Sequence, residues 1–133
     1  MPILSILLSI VSLSVKDCGR NQAALRIGEL SIRPVNPNPG DKVILRVQYT
    51  VPKGMFIENG TANYVTRYGF IPIPTVTETL CKELSCPLVP GTYTNEAITV
   101  WPSGISGTLT INNTWYDTSK NLLACILIEG NVR

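Results

Sequence analysis

Histidine is absent from this 133-residue chain, and charge is scarce: Asp, Glu, Lys and Arg make up 15% of it. Without an imidazole there is no histidine-based triad, no histidine metal ligand and no side chain poised to switch near neutral pH. The 11 basic and 9 acidic residues are interleaved and leave a formal net charge of +2. With no basic run, electrostatics points neither to nucleic acid nor to an anionic membrane surface. No Gly-rich phosphate loop or dinucleotide fingerprint is present. The scattered acidic residues form no local pair of the kind that carboxylate acid–base chemistry uses. These absences argue against an enzyme, and none of them implies a cofactor or a metal. No apolar run reaches the roughly 20 residues that a membrane-spanning helix needs. What the chain does have is apolar side chains, 44% of all residues.

The first of them form a leader. Residues 3–15 are apolar except for interspersed serines, and no charge precedes Lys16. The run has the length of a signal-peptide core, and Ser12 and Ser14 supply small residues at the −3 and −1 positions of a cut after Ser14. The usual basic residue ahead of the core is missing; a buried N-terminal strand is the other reading of the same run. The leader reading divides the chain into a signal peptide, residues 1–14, and one domain, residues 15–133. A domain of that size builds a real core but not two. It would be secreted, or held in a lysosomal or vacuolar lumen. The sequons Asn59-Gly60-Thr61 and Asn112-Asn113-Thr114 suit that compartment as glycosylation acceptors at Asn59 and Asn112. Sequons this short also arise by chance.

Four cysteines follow the leader. An even count in a secreted chain reads as a disulfide frame. Cys81 and Cys86 are close together, whereas Cys18 and Cys125 lie near opposite ends of the mature chain. Of the three possible connectivities, spacing favours Cys81–Cys86 and Cys18–Cys125. A four-cysteine zinc site is the competing reading, but such sites usually show two close pairs.

Hydrophobic periodicity is two nearly everywhere. Val43, Leu45, Val47, Tyr49 and Val51 alternate with more polar neighbours; so do Leu109, Ile111 and Trp115, and residues 61–68 place Ala62, Tyr64, Thr66 and Tyr68 on one face. With residues 24–32, 75–80, 92–100 and 122–129 this predicts about seven strands, separated by Pro-, Gly- and Asn-rich turns, among them Pro102-Ser103-Gly104. Such a pattern predicts an all-β, immunoglobulin-like sandwich of two antiparallel sheets. One apolar segment breaks the rhythm, Gly69-Phe70-Ile71-Pro72-Ile73-Pro74. Its prolines bar it from a central strand, so it either caps a core or lines a cavity mouth.

Several short motifs, taken in order, resemble the ML lipid-recognition family. They are Asp17-Cys18-Gly19, Arg33-Pro34-Val35-Asn36-Pro37, Tyr68-Gly69-Phe70-Ile71-Pro72, Cys86-Pro87-Leu88 with Pro90-Gly91-Thr92-Tyr93, and Leu123-Ala124-Cys125. The family includes the luminal Niemann–Pick type C sterol carrier and fungal phosphatidylglycerol/phosphatidylinositol transfer proteins. The resemblance implies a sandwich whose sheets are splayed around an apolar cavity for a sterol or a phospholipid acyl chain. It implies the same disulfide pairing that spacing favours. The sterol carrier's additional early cysteine pair is missing, which tilts the likeness toward the phospholipid branch. By position, the family's pocket maps to Phe70, Ile71, Ile73 and Val76, then to Ala97, Ile98, Val100 and Trp101. The function implied is a monomeric lipid-binding and lipid-transfer protein in transient contact with membranes. The alternatives are a sandwich that presents lipid to a receptor and a closed-core adhesion module.

Overall fold

The two-residue periodicity becomes nine strands in the computed structural model, which describes residues 12–101 and 107–132. In chain order they are β1 (Ser14–Asp17), β2 (Arg26–Arg33), β3 (Lys42–Val51), β4 (Gly60–Tyr68), β5 (Ile71–Pro72), β6 (Val76–Thr79), β7 (Gly91–Val100), β8 (Gly107–Asp117) and β9 (Leu122–Val132). A single 3-10 turn, Arg20–Gln22, and one turn of helix, α1 (Leu80–Glu83), complete the described elements. No helix among the described residues is long and apolar enough to cross a membrane. The larger sheet runs β1-β9-β8-β4, with β5 and β6 both pairing on β4; the smaller runs β2-β3-β7. Every pairing is antiparallel. The fold is therefore the expected all-β, immunoglobulin-like sandwich. Residues 1–11, most of the expected leader, and the expected Pro102-Ser103-Gly104 turn lie outside the described residues.

Two strands go beyond the seven read from periodicity. β5 has only two residues, because a segment carrying Pro72 cannot sustain a ladder and survives only at an edge. It follows β4 through a two-residue turn in which Gly69 has φ 57°, a left-handed conformation that glycine adopts without cost. β1 pairs with β9 from Ser14↔Glu129 to Asp17↔Ile126. Just before it, Leu13 is buried, and its N–H donates to the Val35 carbonyl at 2.8 Å.

Alternation decides which faces meet. Val43, Leu45, Val47, Tyr49 and Val51 of β3 are all buried. They face Ala62 and Tyr68 of β4, Leu109 and Trp115 of β8, and Ala124, Ile126 and Ile128 of β9, which are buried too. A bulge in β2 between Ile27 and Leu30 sets these residues opposite Tyr49 and Val47 respectively, so both stay on the inner face. Tyr49 bridges the layers. It stacks on Tyr93 of its own sheet (ring centroids 5.5 Å, 21° between planes) and meets the edge of Trp115 in the other sheet (5.5 Å, 79°).

One edge of the sandwich is closed covalently. After β1 the chain crosses between the layers, and Cys18 bonds Cys125 of β9 with Cα atoms 4.9 Å apart. Backbone hydrogen bonds continue this seam from Ala24 N–H to the Leu122 carbonyl and from Leu25 N–H to the Leu123 carbonyl, each 3.0 Å. Cys81–Cys86 ties α1 to the loop before β7, with Cα atoms 5.2 Å apart. No described cysteine is free. The pairing favoured by spacing is the one present, and a four-cysteine zinc site is set aside.

The bridges should differ in worth. Cys18–Cys125 spans 107 residues and Cys81–Cys86 spans 5. Loop-closure entropy then assigns about 5 kcal/mol to the first and about 2 kcal/mol to the second. Denaturant unfolding of the paired Cys→Ser variants measures both, and equal losses would contradict the closed edge. At the start of β4 the backbone passes so near β8 that a Cβ on Gly60 would collide with the Tyr116 carbonyl oxygen and press Leu80 Cδ2 at 3.0 Å. Gly60→Ala is expected to destabilise the domain by about 1–3 kcal/mol, read in the same assay.

Candidate ligand cavity

Along the opposite edge the layers are joined at one end only, by the connection from β6 through α1 to β7, where Ile57 and Leu88 pair through their backbones. β7 ends the small sheet, β6 lies at the far edge of the large one, and residues of both border a cavity of about 410 Å³. That volume falls within the ~300–1,000 Å³ typical of small-molecule sites. Its apolar wall comes from inner faces: Val43 and Leu45 of β3, Ala97 of β7, Ile111 of β8 and Ile128 of β9. A larger hollow, about 630 Å³, lies around the 3-10 turn and is lined by Arg20, Asn21, Arg26 and Pro52 among others. Its lining is mainly the connection from β1 to β2 and carries the charged side chains of Asp17, Arg20 and Arg26, whereas the smaller cavity lies between apolar inner faces of the two sheets and is the better candidate.

The polar part of the wall comes from β4, β6, α1 and β8 and, through Glu96 and Thr99, from β7. Register sets Tyr64 of β4 opposite Asn113 of β8 on one side and Val76 of β6 on the other. Glu78 follows two residues later on the same face of β6, and Glu83 closes α1 just beyond it. Burial first, then the adjacent Glu83 carboxylate and the negative charge of Glu78, hold the Tyr64 pKa well above the ordinary tyrosine range. Asn113 is 8% exposed, and its Oδ1 has no hydrogen-bond partner among the described residues. Both Glu78 and Glu96 of β7 border the cavity and also reach cations outside it. Lys82 lies 3.7 Å from Glu78, and Arg46 lies 4.0 Å from Glu96.

The structure separates the residues expected to bind. Ala97 pairs with Leu45 and faces inward. Ile98 and Val100 fall on the opposite phase of β7, 66% and 61% exposed; Ile98 borders the cavity from the edge strand and sits beside Ile44 on the outer face. Phe70 and Ile71 form the exposed tip of the β4–β5 hairpin. Ile73 and Val76 follow, also exposed, and Val76 lies opposite Tyr64. Trp101 is 3% exposed in the core just after β7, where its backbone pairs with Asp41 and Gly40. Of the acceptor sites, Asn59 is exposed before β4, whereas Asn112 lies half-buried on the outer face of β8.

Sequence reasoning missed Val43, Leu45, Tyr64, Ile111, Asn113 and Ile128 as lining residues. Val43, Leu45, Tyr64 and Ile111 enter it only as members of alternating strand faces. One signal was legible: in the set Leu109, Ile111, Asn113, Trp115, an asparagine takes an inward position among large apolar side chains.

These features define a class, a β-sandwich closed along one edge and hollow along the other. The chain belongs to the ML domain family, which matches residues 12–132. Its fold is similar to that of a Niemann-Pick type C2 protein from the Japanese carpenter ant, with TM-score 0.69 and 13% identity over 90% of this chain and 99% of that one. Chicken MD-1, in a complex with lipid IVa, is similar at TM-score 0.65 and 15% identity, over 91% of this chain and 89% of its own. At such identities the likeness is one of fold. No curated protein matches the chain in sequence.

Raised tyrosine ionisation has a consequence for stability. Burial, and secondarily Tyr93, push Tyr49 up to about 12, and Tyr64 is also raised. A folded state that keeps phenol protons longer than the unfolded chain is stabilised below the unfolded pKa of 10.0, and loses that contribution as pH rises through the folded values. Unfolding free energy should therefore decline from about pH 10 upward. Tyr64→Phe should make the decline shallower in pH-resolved urea titrations, and an unchanged slope would contradict the raised Tyr64 ionisation.

Proposed function

We propose that this is a secreted or endolysosomal lipid-binding and lipid-transfer protein. The observation that carries the reading is the cavity of about 410 Å³ with walls from both sheets. Exposing a hydrocarbon tail to water costs roughly 0.8 kcal/mol per methylene, so a long chain faces a barrier of about 10 kcal/mol or more between membranes. An apolar cavity lets the tail pass from one apolar medium to another, and no catalytic group is required. In this reading Ala97 is part of the inner wall, and Ile98 and Val76 flank the mouth. Phe70, Ile71 and Ile73 give an apolar rim for transient membrane contact. Val100 and Trp101 bound the end of the strand that carries Ala97. The ligand is a sterol or a phospholipid acyl chain, and the protein acts as a monomer.

Secretion follows removal of a leader, with the cut after Ser14 and glycans on Asn59 and Asn112 belonging to the same proposal. N-terminal sequencing of the secreted protein reads the cut. A mature end at Ser12 or earlier would move the boundary and keep Leu13 in the core. The fold shared with MD-1, solved with lipid IVa, favours a second reading in which the lipid is held for presentation rather than moved. Transfer of labelled lipid between vesicles separates the two.

Native mass spectrometry of protein from a eukaryotic host is expected to find about one bound lipid per chain. Ala97→Trp, which fills the space against Leu45, should lower that occupancy at least about tenfold without lowering the melting temperature. Uniformly empty wild-type protein, or full occupancy in the filled variant, would overturn the reading.

A further inference from the structure

The polar end of the cavity carries three carboxylates, and its donors are the Tyr64 and Thr99 hydroxyls and the Asn113 amide nitrogen. Asn113 is nine-tenths buried, borders the cavity and carries an Oδ1 without a partner. A buried carbonyl of this kind is costly unless something donates to it. Of the other lining groups the Tyr64 and Thr99 hydroxyls could donate, and neither bonds it. The Tyr64 hydroxyl lies beside the Glu83 carboxylate, which competes for its hydrogen. Glu78, Glu83 and Glu96 offer carboxylate oxygens, and no Lys or Arg is among the described lining residues. The nearest cations do not reverse this balance: Lys82 is 70% exposed and Arg46 49%, each beside its own glutamate.

Fatty-acid anions and anionic phospholipids would bring further negative charge and more acceptors to this end. A hydroxyl, amide or ammonium group would instead donate to Asn113 and lie beside the carboxylates. We infer that the cavity selects lipids whose polar end carries a hydrogen-bond donor and no negative charge, and turns away anionic ones. This rests on the cavity being a lipid site, and it narrows the ligand class away from phosphatidylglycerol and phosphatidylinositol.

Four ligands with one C18 tail test it by displacing diphenylhexatriene, a neutral apolar probe, at neutral pH: oleyl alcohol, oleylamine, methyl oleate and oleate. The alcohol and the amine should bind about tenfold more tightly than the methyl ester, which cannot donate, and tighter still than oleate. The two donor arms separate a neutral head from a cationic one. In Asn113→Leu the preference for alcohol over ester should shrink toward one. In Glu78→Gln/Glu83→Gln, oleate should gain affinity several-fold, a gain that misfolding does not produce. If all four ligands bind alike, or if oleate equals the alcohol, head-group selection is wrong while the cavity stands. If neither the probe nor any ligand binds, the cavity reading falls and takes this inference with it.

Discussion

Two β-layers keep a void between them only if something other than packing across that void holds them in place. Here the restraint runs along one edge and holds only one end of the other, where Ile57 and Leu88 pair. The Cys18–Cys125 bridge and the backbone bonds from Ala24 and Leu25 to Leu122 and Leu123 fasten the crossing segment onto β9. The contact of Tyr49 with Trp115 joins the layers through the core. With those points fixed, the β6 and β7 edges can stay apart. Atoms lining a void forgo dispersion contacts, and a cross-link across most of the chain offsets that loss through the unfolded state.

The same constraint explains where polar groups sit. An inward-facing Asn113 and a Glu78 on an inner strand face would be faults in a filled core, where each would be buried at a cost. Beside a cavity they have a place. Local rules broken at one spot, while the rest of the sheet obeys them, are the usual mark of a site under functional demand. Tyr64 joins the two roles, because its ring belongs to the packed inner face and its hydroxyl to the acceptor cluster around Glu83.

Period-two alternation in β3 and β4 and the spacing of Cys81 and Cys86 were legible in the sequence because they are short-range. A strand with five buried residues in one phase has little freedom in which face it turns inward, and cysteines five positions apart have an obvious partner. The motifs that carried the ML resemblance pointed to the same architecture. β7 was harder, because its sequence Thr94-Asn95-Glu96-Ala97-Ile98-Thr99-Val100 mixes polar and apolar residues in both phases.

What the chain determines by itself is therefore the strands, the cysteine frame and the kind of sandwich they build. Only the tertiary structure decided that Ala97 turns inward and Ile98 outward, since that phase is imposed by pairing with Leu45 and Ile44 some fifty residues earlier. It likewise decided that Tyr64, Glu78, Glu83 and Asn113, from four separate elements, meet at one opening. The physical reason is the same in both cases. Alternation is a property of a few consecutive residues, whereas a cavity is made where strands distant in sequence fail to close on each other.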